Sequence, residues 1–179
     1  QNVIGIDAVI TKATEGVGYV NKYCDKVIQS AININMPWEF YHYAKNNDPI
    51  KEADYFIQNC NNYFNHGIPI LDWEENQTVE WVNSFVSRII EKTNINPWIY
   101  ANPWRFNQGG VNENCGRWIA SYPNVKSPTF LDAEGWKIPS TNGLVCAWQF
   151  CSDGIVAGFD GKLDCSIFYG DANAWNSYA

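Results

Sequence analysis

Basic residues and histidine are scarce in this sequence. Its 179 residues include 12 Lys and Arg against 19 Asp and Glu, giving a formal net charge of −7 at pH 7. Binding to nucleic acid depends on neutralising phosphates with clustered Lys and Arg, and no basic stripe occurs, so no nucleic-acid partner is expected. With only two His, His42 and His66, and no C-x-x-C spacing, a zinc site is not expected either.

Long apolar runs are also missing. No segment reaches the roughly 20 apolar residues that a membrane-spanning helix needs, so we expect no membrane partner. Neither a linker nor an internal repeat divides the chain, and a hydrophobic content of 46% excludes disorder. Residues 1–179 are therefore predicted to form a single domain with a sizeable core.

The cysteine and aromatic contents are informative but ambiguous. Six cysteines would allow three disulfides, yet a domain of this size does not require them, so their pairing stays open. None lies in a recognisable nucleophile motif. Nine Trp and ten Tyr are more than a core needs, and flat aromatic faces suit the apolar faces of sugar rings, although packing accounts for most of them.

Short β-branched or aromatic runs alternate with longer amphipathic segments, which is typical of a β/α fold with largely parallel strands. The predicted strands cover residues 7–13, 38–43, 68–74, 98–101, 117–121, 145–150 and 163–166. The predicted helices cover about 21–32, 49–65 and 78–93, the last capped by Asn76 or Thr78. Beyond Tyr100, glycine and proline predict long loops in place of helices.

Two carboxylates end the third predicted strand, in Leu71-Asp72-Trp73-Glu74. Side chains two apart in a strand leave the same face, so Asp72 and Glu74 should emerge together while Trp73 points away. At a separation of roughly 6 to 7 Å the two charges repel, and one pKa should rise. That arrangement yields a general acid near neutral pH, although a bare Asp-x-Glu also fits a strand that runs into a solvated acidic loop.

Polar and aromatic residues end the other strands as well. In β/α barrels, functional side chains gather where strands end, and a convergence of carboxylates, aromatics and an amide is typical of a glycoside-cleaving site. His42 alternates away from Tyr41 and Tyr43 and is expected to be a hydrogen-bonded core residue. The strand-end residues are Lys12, Glu15, Tyr41, Tyr43, Asp72, Glu74, Tyr100, Tyr122, Gln149 and Asp164.

Seven short segments occur in one order along residues 7–168. They are KATEG at 12–16 followed by Tyr19, YHY at 41–43, LDWE at 71–74, PWIY at 97–100, WIASY at 118–122, WQF at 148–150 and GFDGKLD at 158–164. Each segment is weak evidence alone. In this order they resemble the family 25 glycoside hydrolases, also called Chalaropsis-type lysozymes or N-acetylmuramidases.

The resemblance implies a fold and an activity. The fold would be α/β, an irregular TIM-like (β/α) barrel with fewer helices than strands. The reaction would be hydrolysis, without a cofactor, of the β-1,4 bond between N-acetylmuramic acid and N-acetylglucosamine in bacterial peptidoglycan. We accordingly expect a monomer whose partner is the bacterial cell wall and which acts outside the cell or at the wall.

The resemblance also implies roles for individual residues. Glu74 would be the general acid that protonates the leaving oxygen. Asp72 and Asp164 match accessory carboxylates, which would assist the 2-acetamido group or the oxocarbenium-like centre. Lys12 and Tyr100 match substrate-contacting positions, and the residues expected to line the site are Tyr43, Tyr122 and Gln149.

One departure concerns the N-terminus. Family members open with a strand that carries an Asp, about twenty residues before the KATEG segment, and this chain starts inside that connection. We therefore expect the catalytic domain to be N-terminally incomplete in this chain; otherwise the barrel would be open beside the strand of Lys12, with unpaired backbone groups.

Two other functions fit parts of the pattern. A catalytically silent glycan-binding domain of the same fold would keep the aromatic groove, but the retention of Lys12, Asp72, Glu74, Tyr100 and Asp164 argues against it. A chitinase-like hydrolase of another barrel family also places acids two apart on a strand. Its longer acidic signature would need a further acid at position 70, which is Ile70.

Overall fold

A computed structural model of the protein describes residues 5–133 and 135–179. These residues form one eight-stranded sheet with helices packed on it. The strands are β1 (Val9–Glu15), β2 (Tyr19–Val20), β3 (Trp38–Tyr43), β4 (Ile68–Asp72), β5 (Trp98–Ala101), β6 (Arg117–Ala120), β7 (Val145–Gly154) and β8 (Leu163–Phe168). The helices are α1 (Cys24–Asn33), α2 (Pro49–Cys60), α3 (Val79–Thr93), α4 (Pro103–Asn107), α5 (Phe130–Ala133) and α6 (Ala172–Asn176).

The sheet order is β2-β1-β3-β4-β5-β6-β7-β8. The six central strands pair in parallel, as predicted, whereas β2 and β8 pair antiparallel at the two edges. The sheet curls into a half-barrel, and no pairing closes β2 onto β8 within the described residues. The predicted α/β class and the excess of strands over helices are confirmed for this part of the chain, while closure into a TIM-type barrel is not shown.

Most predicted elements are present, with shifted ends. The bounds of β3 and β5 agree with the prediction, but β4 ends at Asp72, so Glu74 lies in the following connection. Helix α2 ends at Cys60, before the predicted end at residue 65, because the chain turns there and the amides of His66 and Gly67 bond to the carbonyl of Tyr63. The prediction of loops beyond Tyr100 missed three short helices, α4, α5 and α6.

Local chemistry explains the best-predicted helix. The Thr78 hydroxyl accepts a hydrogen bond from the amide of Trp81, which confirms Thr78 as the N-cap of α3, and Asn94 ends the helix in a left-handed conformation. One face of α3 buries Val82, Phe85, Val86 and Ile89, so the apolar face of this amphipathic helix packs in the core.

Two hydrophobic layers lie on the two faces of the sheet. Leu71, Ile99 and Ile119 belong to the layer shared with the helices. The alternate side chains Ile70, Trp98 and Trp118 pack inside the curl, where Trp175 of α6 also lies, as the two-residue period of strands requires. This inner packing fills the curl below the carboxyl ends of the strands. Among the described helices, none is long and apolar enough to cross a membrane.

Candidate active site

The predicted site residues meet at one end of the half-barrel. Parallel strands bring their carboxyl ends to the same edge of a sheet, and the register pairs Lys12 with Tyr41, Tyr43 with Asp72, and Asp72 with Tyr100. Gln149 on β7 lies beside Ala120, so Tyr122 follows close to it. Asp164 reaches this edge from the antiparallel strand β8.

A cavity of about 230 Å³ opens at this edge. Three predicted residues, Glu74, Tyr100 and Tyr122, line it. Its other lining residues are Trp73, Asn102 and Ala120. The remaining predicted residues, Lys12, Tyr43, Asp72, Gln149 and Asp164, surround this end of the sheet without lining the cavity itself.

Gln149 holds two tyrosines together. Its buried Oε1 accepts a hydrogen bond from the Tyr100 hydroxyl at 2.6 Å and another from the Tyr122 hydroxyl. Tyr100 is 6% exposed and Tyr122 is 50% exposed, so the first anchors the pair and the second faces solvent. Burial raises the pKa of both phenols, which keeps their hydroxyl groups protonated as donors.

Lys12 belongs to a charged group near the end of β1. Its ammonium forms an ion pair with Glu15 and lies 4.6 Å from the centre of the Tyr43 ring. Lys45 Nζ lies 3.8 Å from Glu15 Oε1 and 2.5 Å from Glu75 Oε1. The cation–π contact holds Lys12 against Tyr43.

Asp72 is the buried carboxyl of the site, with 7% of its surface exposed. Burial raises the pKa of Asp72 well above its usual range, and the carboxylates of Glu74 and Asp164 raise it further, while Lys12 lowers it. The expected repulsion between Asp72 and Glu74 is therefore present, but desolvation is the larger cause. The Oδ1 atom of Asp72 has no hydrogen-bond partner among the described residues.

Glu74 is exposed and is fixed through its backbone. Arg105 of α4 donates from Nη2 to the Glu74 carbonyl oxygen at 2.7 Å, and its guanidinium lies 5.0 Å from the centre of the Trp73 ring. Trp73 is buried, as expected for a side chain that points away from Asp72, and its Nε1 donates to the Gln77 carbonyl at 3.0 Å. It nevertheless lines the cavity.

Arg105 and Asn102 were missed from the sequence because their segment was predicted as a loop. Asn102 caps α4 by accepting a hydrogen bond from the amide of Arg105, and Pro103 occupies the first turn. An Asn-Pro pair directly after a strand is a helix-start signal, and it could have placed Arg105 close to the strand ends.

His42 lies behind the site, as predicted for a core residue. Its Nδ1 is 2.8 Å from Thr14 Oγ1 and its Nε2 is 2.9 Å from Glu52 Oε2, all three side chains being buried. Burial lowers the pKa of His42. Because the ring is buried and both of its nitrogens contact side chains, it supports the strand ends and does not line the cavity. No group of three or more His, Cys, Asp or Glu among the described residues is arranged to hold a metal ion.

Carboxylates and aromatic rings around a cavity at the carboxyl ends of parallel strands define a glycoside-hydrolase type of site. The model of the glycosyl hydrolases family 25 matches residues 2–159, and the chain belongs to this family. The match includes seven of the eight predicted site residues; Asp164 lies beyond it.

Two characterised relatives agree with this assignment. The chain is 25% identical over 171 residues to an autolytic lysozyme of Clostridium acetobutylicum, covering 92% of this chain and 49% of that protein. It is 28% identical over 190 residues to lysozyme M1 of Streptomyces globisporus, covering 94% of this chain and 62% of that protein. The chain thus spans about half to under two thirds of the length of these relatives.

Solved structures show the same fold. A bacterial lysozyme from Streptomyces coelicolor has a TM-score of 0.80 at 24% identity, covering 98% of this chain and 87% of that one. A family 25 lysozyme from Aspergillus fumigatus has a TM-score of 0.74 at 20% identity, covering 98% of this chain and 88% of that one.

Proposed function

We propose that this chain is a lysozyme that hydrolyses the β-1,4 bond between N-acetylmuramic acid and N-acetylglucosamine in bacterial peptidoglycan. The observation that carries the proposal is the exposed residue Glu74 at a cavity, whose carboxylate acts on the buried carboxyl of Asp72. Family membership and the two lysozyme relatives support it.

Glu74 acts as the general acid in this proposal. A glycosidic bond breaks when the leaving oxygen is protonated while positive charge develops on the adjoining sugar. Glu74 has the exposure and the cavity position to deliver that proton. Its backbone is held by Arg105, so the carboxyl group is presented from a fixed point, as proton transfer to a bound substrate requires.

Asp72 and Asp164 assist the sugar that becomes positively charged. The raised pKa of Asp72 favours a protonated carboxyl, which can donate a hydrogen bond to the 2-acetamido group of the substrate. Burial also raises the pKa of Asp164, but Asp164 is more exposed than Asp72, and its ionised carboxylate would supply negative charge facing the oxocarbenium-like centre.

Substrate binding uses the tyrosines that line the cavity and residues at the neighbouring strand ends. Tyr100 and Tyr122, oriented by Gln149, offer rings and hydroxyl groups to sugar faces and hydroxyls. Lys12 and Tyr43, in contact with each other at the ends of β1 and β3, supply further substrate contacts. These assignments need no cofactor, and we propose that residues 1–179 belong to one monomeric catalytic domain that acts at the cell wall or outside the cell.

The test is mass spectrometry of the fragments that the 179-residue chain releases from purified peptidoglycan. New reducing ends should be N-acetylmuramic acid. Glu74→Gln should abolish release while the circular dichroism spectrum stays unchanged. Glu91→Gln is the matched control, because it removes the same charge from an exposed residue of α3 that pairs with Arg88 and Lys92 outside the cavity, and it should keep most of the activity.

Three results would reject the proposal. Reducing-end N-acetylglucosamine would indicate a different glycosidase. Undiminished activity of Glu74→Gln would remove Glu74 from the acid role. A folded chain that binds peptidoglycan without releasing fragments, and that stays inactive when it is extended by an upstream Asp-bearing strand, would be the silent glycan-binding domain.

A further inference from the structure

Cys151 and Cys165 face each other across the antiparallel strands β7 and β8. They are register partners in the sheet, with irregular register on both sides of the pair. Both side chains are buried and pack in the hydrophobic layer between sheet and helices. Neither takes part in the proposed reaction, so the position of the pair needs another explanation.

Both are free thiols in this structure, and their opposition in the sheet suits a covalent bond. Directly opposed residues of an antiparallel pair have Cα atoms about 4.5 to 5.5 Å apart, within the 4.4 to 6.8 Å or so that a disulfide spans. A β-carbon placed on Gly154 would lie 2.5 Å from Cys165 Sγ and 2.9 Å from Cys151 Sγ. The two sulfur atoms therefore converge on one point beside Gly154, where the absence of a side chain leaves room for them.

We propose that Cys151 and Cys165 form a disulfide that ties β8 to β7. A thiolate of one cysteine attacks a low-molecular-weight disulfide such as oxidised glutathione, forming a mixed disulfide and releasing one glutathione. The second thiolate then attacks the protein sulfur of that mixed disulfide and releases the second glutathione. The protein loses two electrons and two thiol protons, and the reagent gains the equivalent as two thiols.

The bond would act at the edge of the sheet. Strand β8 pairs only with β7 among the described strands, and Asp164 precedes Cys165 on it. Consecutive residues of a strand face opposite sides, so Cys165 points to the helix layer while the carboxylate of Asp164 acts on Asp72 and Tyr41. A link at Cys165 would hold Asp164 opposite the β7 segment that carries Gln149.

Burial decides when the bond can form. Cys151 is 3% exposed and Cys165 is 1% exposed, so an oxidant reaches them only before folding is complete or when β8 detaches. Refolding in a mixture of reduced and oxidised glutathione should therefore form the bond readily. Oxidising the folded, reduced chain should form it slowly.

The test compares the whole chain refolded with glutathione and the same chain refolded with a phosphine reductant. After blocking free thiols, cleavage at Lys162 and Phe150 separates Cys146, Cys151 and Cys165 into three fragments. Mass spectrometry of the oxidised sample should find the Cys151 fragment linked to the Cys165 fragment. The oxidised chain should melt roughly 5 to 10 °C higher than the reduced chain, as expected when a loop of about 15 residues is closed in a domain of this size.

Two variants separate this pair from the other cysteines. Cys151→Ser should lose the cross-linked fragment and the part of the melting shift that belongs to it. Cys24→Ser changes a buried cysteine of α1 and should keep both. Free thiols at Cys151 and Cys165 in the folded, oxidised chain, or their linkage to other cysteines, would overturn the proposal whatever the result for peptidoglycan hydrolysis.

Discussion

Arg105 holds the backbone of Glu74: its Nη2 donates to the Glu74 carbonyl oxygen at 2.7 Å while its guanidinium stacks on Trp73 at 5.0 Å. The contact joins a helix that follows β5 to the connection that follows β4. The position of the proposed acid is therefore set from a neighbouring element and not by the strand that precedes it.

Arg105→Met should lower kcat roughly ten- to a hundredfold with a smaller change in KM, because small displacements of a reacting group are costly. Arg105→Lys keeps the charge but loses the planar donor fork, so it should recover only part of kcat. The control is Arg88→Met, which breaks a surface pair with Asp54 and should leave kcat unchanged. An equal fall of kcat in the control would remove the positioning role of Arg105.

Tyr100→Phe and Tyr122→Phe should have different effects although both hydroxyls bond to Gln149 Oε1. Loss of the buried Tyr100 hydroxyl should lower the free energy of unfolding by about 1 kcal/mol. Loss of the half-exposed Tyr122 hydroxyl should cost less stability and raise KM for peptidoglycan. Urea denaturation measures the free energy of unfolding of each variant, and steady-state kinetics measures its KM. Equal changes of both quantities in Tyr100→Phe and Tyr122→Phe would contradict the different roles of the two hydroxyls.

Asp164→Asn should reduce activity far less than Glu74→Gln. If Asp164 only tunes the electrostatic field of the site, the loss should be on the order of ten- to a hundredfold, whereas loss of the general acid should stop turnover. Peptidoglycan release at equal enzyme concentration, with melting temperatures to check folding, compares the variants. A loss as large as that of Glu74→Gln would mean that Asp164 takes a direct part in the chemistry.

Asp72→Asn should change how stability depends on pH. The folded-state pKa of Asp72 is raised, mainly by burial. The contribution of Asp72 to stability is therefore complete below its unfolded-state pKa of about 3.9. This contribution is lost as pH rises through the folded-state pKa. The Asn variant lacks this loss, so the difference between its free energy of unfolding and that of the wild type should shift in favour of the variant as pH rises above about 4.

Glu39→Gln is the control for this pH effect. Glu39 is also buried with a raised pKa, but it lies near the start of β3, away from the site. In urea denaturation, the free energy of unfolding of Glu39→Gln should also rise relative to that of the wild type as pH increases. Its peptidoglycan hydrolysis should stay unchanged. The pKa of His42 is lowered in the folded state, so its contribution to stability is lost as pH falls below the pKa of an unfolded histidine. This contribution is the same in the wild type, Asp72→Asn and Glu39→Gln, and it cancels when their free energies of unfolding are compared. A stability difference independent of pH would contradict the prediction for Asp72.

Strand interiors were predicted better than the ends of elements and the edges of the sheet. The segments that form β3 and β5 have the two-residue period and the aromatic and β-branched composition typical of strands. Their predicted bounds agree with the structure. The end of β4 was misplaced because the alternation of Asp72 and Glu74 continues the strand pattern, whereas the chain leaves the sheet after Asp72. No local pattern marked β2, which has two residues and forms by pairing with β1.

The sequence by itself determined the set of chemical groups and their order: two acids at Asp72 and Glu74, tyrosines at strand ends, and a parallel β/α pattern that brings those ends to one edge. The tertiary structure decided which carboxyl is buried, which helix holds Glu74, and that Gln149 joins Tyr100 to Tyr122. Strand period is a local property of neighbouring residues, and it can be read from the chain. Desolvation and hydrogen bonds between residues 27 to 49 positions apart depend on how distant segments pack, and only the folded chain specifies them.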